Sequence, residues 1–136
     1  MSQELAGGCL CGAIRFRAAG TGSDATVCHC ETCRRASGAP LVAWVTFPRR
    51  DFAFTRGAPV RYRSSPPVTR TFCGRCGTPL TYAHDARPET LDVTTISFDR
   101  AHELPPRDHI WMSDSLRWIR ASESLPRFPR GRDMGE

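Results

Sequence analysis

A mainly-β single domain is the fold class that the sequence predicts, and three observations carry it. Apolar residues recur in short alternating or β-branched runs rather than at helical spacing. Eleven glycines and eleven prolines punctuate 136 residues, which favours turns over long helices. Seven cysteines fall in tight clusters whose spacing suits a metal, and a metal would supplement a thin core. The domain is expected over residues 1–125, with a loose Arg-, Pro- and Gly-rich tail over 126–136.

Taken in order, residues 7–12 (Gly-Gly-Cys-Leu-Cys-Gly) read as a tight turn. Glycines let the backbone fold closely round a metal. The two sulfurs face one way, and Leu10 turns away, toward the core. Residues 13–18 alternate, with Ile14 and Phe16 apolar against Arg15 and Arg17, as in a half-buried strand. Residues 20–23 are a turn. Residues 32–37 form a short helical turn stopped by Gly38 and Pro40. Residues 41–47 are rich in β-formers and read as a buried strand. Residues 52–54 and 60–63 are short strands separated at Arg56-Gly57. The prolines of the loop 64–67 exclude a central strand there. Residues 69–72 lead into Cys73-Gly74-Arg75-Cys76-Gly77, a zinc-knuckle turn with Gly77 at the positive-φ position. Residues 80–82 continue as strand, 85–89 as loop and 91–98 as strand. Residues 99–104 make a helical turn ended by two prolines. Residues 109–112 are a strand, and Asp114 caps a short helix carrying Leu116 and Trp118. Trp44, Trp111 and Trp118 belong in the core or at its edge.

The cysteines sort by spacing. Cys28 and Cys30 on extended chain put both sulfurs on one side and His29 on the other. The short step to Cys33 brings a third thiolate back to the same point, and three thiolates suit a borderline cation such as zinc. No fourth cysteine is near. Structural zinc sites have four protein ligands, whereas catalytic ones keep a position open. Cys9 and Cys11 lack further ligands nearby, and so do Cys73 and Cys76; together they complete a saturated, structural site. Two zinc ions per chain follow. The competing reading closes the trio with His29, His84, His109 or Asp108 and makes it a second structural site. His29 reads as a hydrogen-bond donor behind the ligands, and His84, His102 and His109 as ordinary polar residues.

The net charge is +5, and every basic residue is an arginine. Arginine forks match carboxylates and phosphates, so a small anionic substrate or a nucleic acid would fit. The chain has no interleaved basic and aromatic stripe, which argues against nucleic acid. Most arginines scatter over the surface, but Arg34, Arg35 and Arg75 adjoin the metal motifs and are candidate substrate-binding residues. The chain opens without a basic segment and an apolar one after it, and its longest apolar run, residues 41–47, is too short to span a bilayer. A cytoplasmic location with no membrane partner is expected. Clustered thiols there read as metal ligands or catalysts rather than disulfides.

Four motifs in this order, Gly-Gly-Cys-x-Cys-Gly at 7–12, Cys-His-Cys-x-x-Cys-Arg-Arg at 28–35, Phe-Cys-x-x-Cys-Gly-Thr-Pro-Leu at 72–80 and His-Ile-Trp…Ser…Trp over 109–118, resemble the glutathione-dependent formaldehyde-activating enzyme family. The resemblance implies several short coiled antiparallel sheets held by zinc. It implies that Cys9, Cys11, Cys73 and Cys76 are structural ligands and that Cys28, Cys30 and Cys33 hold the catalytic zinc. The implied activity is that of a carbon–sulfur lyase adding the thiol of glutathione to formaldehyde. Two other classes compete: a non-catalytic zinc-binding module for glutathione or a protein partner, and a nucleic-acid-binding zinc ribbon.

Overall fold

A computed structural model describes residues 3–132 of the chain. Residues 1–2 and 133–136, the outer ends of the expected domain and tail, lie outside the described residues. The fold is mainly β. In chain order the strands are β1 (Glu4–Gly8), β2 (Arg15–Ala19), β3 (Ser23–Cys28), β4 (Val42–Pro48), β5 (Phe52–Arg56), β6 (Val60–Ser65), β7 (Val68–Phe72), β8 (Pro79–His84), β9 (Thr90–Thr94) and β10 (Asp108–Ile110). Two short helices join them, α1 (Glu31–Ser37) and α2 (Arg117–Arg120). A three-stranded sheet has the order β1-β2-β5, and a seven-stranded sheet the order β10-β3-β4-β9-β8-β7-β6. All pairings within the sheets are antiparallel except β10 beside β3.

Strand β4 explains the layering. Its near-continuous apolar run is buried on both faces, as such runs usually are. Val45 and Phe47 face the main core, with Leu91 and Val93 of β9 and with Leu5, Phe16 and Ala18 of the small sheet. Phe98 sits between the layers, its ring centroid 5.1 Å from Phe16 and 5.6 Å from Phe47. Burying each such ring stabilises the fold by about 1.5–3 kcal/mol. Val42 and Trp44 project the other way, into a second cluster with Cys28 and Cys33. The large sheet therefore carries the core on one face and a cysteine cluster on the other.

Several sequence expectations are corrected. The Gly7-Gly8 stretch is the end of a strand, not a turn: the two residues pair with Phe16 and Arg15, and a Cβ at Gly7 would strike the Phe16 ring. Residue 23 opens β3, whose polar first half hides it from a periodicity reading. Leu10 is 88% exposed, because the buried Cys9 anchors that turn instead. The strand over 91–98 ends at Thr94, where a 3-10 turn, Thr95–Ser97, follows. The strand over 109–112 ends at Ile110, since Trp111 adopts φ 58°. Asp114 closes a 3-10 turn, and α2 starts later, with Leu116 at its N-cap. Trp44 is buried, but Trp111 and Trp118 are exposed. Residues 126–132 carry no helix or strand. Among the described residues no helix is long and apolar enough to cross a membrane.

Candidate metal centre

Two turns meet at the end of the core. Cys9 and Cys11 leave β1, and Gly12 behind them has φ 82°. Cys73 and Cys76 leave β7, and Gly77 likewise has φ 82°, the conformation that glycine adopts without steric cost. The four sulfurs lie within 4.8 Å of one another. Cys9 and Cys11 are 3.7 Å apart and Cys11 and Cys73 3.8 Å. A tetrahedral zinc with bonds of about 2.3 Å needs sulfur–sulfur edges of about 3.8 Å, so these residues fit such an ion. They are too far apart for disulfides, which need about 2.05 Å. Backbone N–H groups support the sulfurs: Ile14 donates to Cys9 Sγ at 3.2 Å, and Arg75 to Cys73 Sγ at 3.4 Å. A hydrogen bond with the Thr78 hydroxyl, first among several, holds the Cys76 thiol down to about 5.

The second cluster is local. Cys28 ends β3, Cys30 caps α1, and Cys33 is in its first turn. The Cys30 sulfur accepts the Cys33 N–H at 3.3 Å, so the helix cap and the cluster are the same atom. Gly38, at φ 69°, ends the helix and donates to the Arg34 carbonyl. The three sulfurs lie within 4.8 Å of one another, and among the described residues no His, Asp or Glu joins them. His29 is buried and points away. Its Nε2 lies 3.0 Å from His109 Nδ1, and its Nδ1 has no partner. Alternation turns it away from the sulfurs, as expected, and its side-chain partner is His109. Burial, and then the nearby charge of His109, lowers its pKa.

Sheet register brings in residues that the motifs do not announce. Arg70, Tyr82, Asp92 and Thr46 stand directly opposite one another on β7, β8, β9 and β4, forming a polar row across the sheet. Arg70 is buried. Its Nε donates to Ser64 Oγ at 3.2 Å, and its Nη2 reaches Thr32 Oγ1 at 3.5 Å and Cys33 Sγ at 3.7 Å. Its guanidinium lies 5.0 Å from the Tyr82 ring centre, within cation–π range. Asp92 Oδ1 accepts from the Thr46 hydroxyl at 2.6 Å, and burial pushes its carboxyl pKa up. The Cys28 hydrogen bond, with Cys30 and Arg70 behind it, holds the Cys33 thiol down to about 5 against burial. The same pairing raises Cys28. A cavity of about 470 Å³ opens over the row, lined by all three cysteines, Arg70, Tyr82 and Asp92.

None of the three arginines singled out from sequence lines this cavity, although Arg35 lines a neighbouring one together with Cys33 and Arg70. Arg34 braces the cavity mouth, donating to the carbonyls of His29 and Asp114. Arg35 pairs with Glu31 on the helix surface at 2.9 Å. Arg75 is exposed on the four-sulfur turn and lines neither the cavity nor the three-cysteine cluster. Arg70 and Asp92 escape a motif search because neither adjoins a cysteine. For Asp92 the available signal was its alternation with buried Leu91 and Val93; Arg70 carries none, since it lies two positions from Val68 on the same strand face.

Comparison with known proteins bears on the same residues. The profile of a family described as glutathione-dependent formaldehyde-activating enzyme matches residues 4–114. An uncharacterized lyase of Schizosaccharomyces pombe is 35% identical over 81 residues, which are 60% of this chain and 58% of that protein. The chain thus spans little more than half the length of this curated relative. A crystal structure of a Rhodobacter sphaeroides protein superposes with a TM-score of 0.62 at 24% identity, covering 76% of this chain and 98% of the other. That likeness is one of fold.

Proposed function

The chain belongs to the glutathione-dependent formaldehyde-activating enzyme family, and from that premise we propose that it is a zinc-dependent carbon–sulfur lyase joining the thiol of glutathione to formaldehyde. Cys9, Cys11, Cys73 and Cys76 would hold a structural zinc, and Cys28, Cys30 and Cys33 a second one. A zinc ion bound by the trio supplies Lewis-acid charge that lowers the pKa of a thiol arriving beside it. The name of the yeast relative, a lyase, supports the same class.

In the reaction the thiol gives up its proton, its sulfur lone pair forms a bond to the aldehyde carbon, and the carbonyl π pair moves to oxygen. A proton then completes the hydroxyl of the hemithioacetal. Arg70 places a fixed positive charge on the trio through Cys33, which offsets thiolate charge. Asp92 lines the cavity with its pKa raised by burial, suited to taking up and returning the proton. Its Oδ1 is held by Thr46, which leaves Oδ2 for that exchange. Trp44 and Tyr82, with ring centroids 5.9 Å apart, give the cavity an aromatic wall.

One observation carries the reading: three sulfurs gather at an accessible cavity, with no fourth metal-ligating side chain beside them among the described residues. Because thiols add to formaldehyde without a catalyst, the test is exchange NMR with glutathione and ¹³C-formaldehyde. The exchange rate should rise in proportion to zinc-loaded protein and fall to the background rate with Cys30→Ala. No acceleration by fully zinc-loaded protein refutes the lyase reading. Saturable glutathione binding without acceleration would make the chain a binding module.

A further inference from the structure

A second cavity adjoins the three-cysteine cluster, and it is larger than the first. It holds about 610 Å³ and is lined from α1, β4, β6, β7 and β8. Sheet register builds its wall. Val42 and Trp44 are two apart on β4 and share a face. Tyr62 stands opposite Arg70, and Phe72 opposite Pro79. Ala36 contributes from the exposed side of α1.

Thr32, Cys33, Trp44 and Arg70 line both cavities, but the two differ in chemistry. The smaller is lined by Glu31, Arg70, Arg87, Asp92 and Asp114, so it suits a charged or polar arm. Among the described residues, the charged ones lining the larger are Arg35 and Arg70. Both are engaged, Arg35 with Glu31 and Arg70 with Cys33 Sγ. Its hydroxyls also have partners within the protein. Thr71 pairs with Thr81 at 2.5 Å, and Ser37 donates to the Cys33 carbonyl at 2.8 Å. Ser64 accepts from Arg70, and Thr32 lies 3.3 Å from Cys30 Sγ. What the larger cavity offers a ligand is hydrocarbon and aromatic surface. Formaldehyde has no arm to cover that surface, and several hundred Å³ is the size that takes a drug-sized ligand.

We propose that the larger cavity receives the hydrocarbon arm of an aldehyde, so that the chain joins thiols to aldehydes bearing an apolar chain as well as to formaldehyde. This rests on the reading that the trio, with zinc bound, accepts a thiol, and it goes beyond that reading in the second substrate. The bond made is the same. Sulfur joins the carbonyl carbon, the π pair moves to oxygen, and the proton given up by the thiol ends there.

The test is exchange NMR with glutathione and zinc-loaded full chain, using formaldehyde, acetaldehyde, butanal and pentanal. Each rate is divided by its own background rate. From acetaldehyde to pentanal this acceleration should rise about fourfold for each methylene buried. Ala36→Phe, which fills the cavity from an exposed helix position, should flatten the series and leave formaldehyde unchanged. Hexanol carries the chain but cannot react. It should saturably shift the amide NMR signals of Ala36 and Phe72 and the indole signal of Trp44, in the parent but not in Ala36→Phe. An acceleration that stays flat or falls with chain length, while formaldehyde is still accelerated, overturns the inference and leaves the proposed function standing. A rise that Ala36→Phe does not alter, or hexanol shifts absent from these residues, overturns the assignment to this cavity. Acceleration of the longer aldehydes but not of formaldehyde supports the inference and refutes formaldehyde as the substrate. No acceleration of any aldehyde overturns both readings, whether or not hexanol binds.

Discussion

Replacing Cys9 and Cys30 by alanine, separately, is the sharpest test of the division between the two clusters. The quartet ties together turns that are far apart in sequence: Cys11 and Cys73 are separated by 62 positions. A cross-link closing a loop of that length destabilises the unfolded chain by about 4 kcal/mol in the chain-entropy treatment. The trio closes only the short span from 28 to 33, worth about 2 kcal/mol on the same scale. Against a total stability of roughly 5–15 kcal/mol, the first loss is severe and the second tolerable. For a chain of this size one kcal/mol moves the melting temperature by about 3–4 °C. Cys9→Ala should therefore melt more than about 10 °C below the parent, or fail to fold, and Cys30→Ala should lose about half as much or less. The assay is thermal melting by circular dichroism with zinc counted on the same samples. Cys30→Ala should retain its fold and one zinc. Equal losses of Tm in the two variants would refute the argument that one cluster braces the fold and the other does not.

Three further outcomes are expected. A chromogenic chelator should withdraw one equivalent of zinc quickly with the circular dichroism unchanged, and a second only as the protein unfolds; loss of both together counts against two unlike sites. Burial raises the folded pKa of Asp92, so its contribution to stability is fully present below the unfolded carboxyl pKa and is lost as pH rises through the folded value. Asp92→Asn, which cannot ionise, should thus match the parent in acid and exceed its Tm at neutral pH; the same Tm difference at both pH values contradicts this. Gly20 and Gly22 share positive φ, at 83° and 71°, but a Cβ at Gly22 would meet Val45 at 2.7 Å and Phe47 at 2.9 Å, while one at Gly20 meets nothing. Both alanine variants incur the backbone cost, and Gly22→Ala should lose about 1–3 kcal/mol more for overpacking, read by urea denaturation.

What the sequence discloses depends on whether its signal is local. The apolar run of β4, the glycine that stops α1 and the spacing within each cysteine motif are all set within a few residues of chain, and all were legible; the quartet joins two such motifs 62 positions apart, and it was legible because neither pair completes a site alone. Strand β1 was not, because Gly7-Gly8 has the composition of a turn and becomes a strand only through pairing with β2. The polar row was not legible either. Arg70 reaches Cys33 because β7, β8, β9 and β4 are in one register, and register is a property of the assembled sheet. Choosing arginines by proximity to cysteines in sequence therefore selected Arg34, Arg35 and Arg75 and did not include Arg70, whose side chain reaches a sulfur of the trio. Leu10 was misassigned for a related reason: in so tight a turn a sulfur, rather than the largest apolar side chain, occupies the interior.

The two sulfur clusters also differ in how much of the polypeptide must exist before either can. The trio is complete once residue 33 has been made, whereas the quartet waits for Cys76. A chain growing from its N-terminus thus carries Cys9 and Cys11 unclaimed beside a finished trio, five thiols able to seize a soft ion in the wrong combination. Recovery of native protein from denaturant should then depend on timing, with zinc withheld until the sheets have collapsed giving a better yield than zinc present from the first instant.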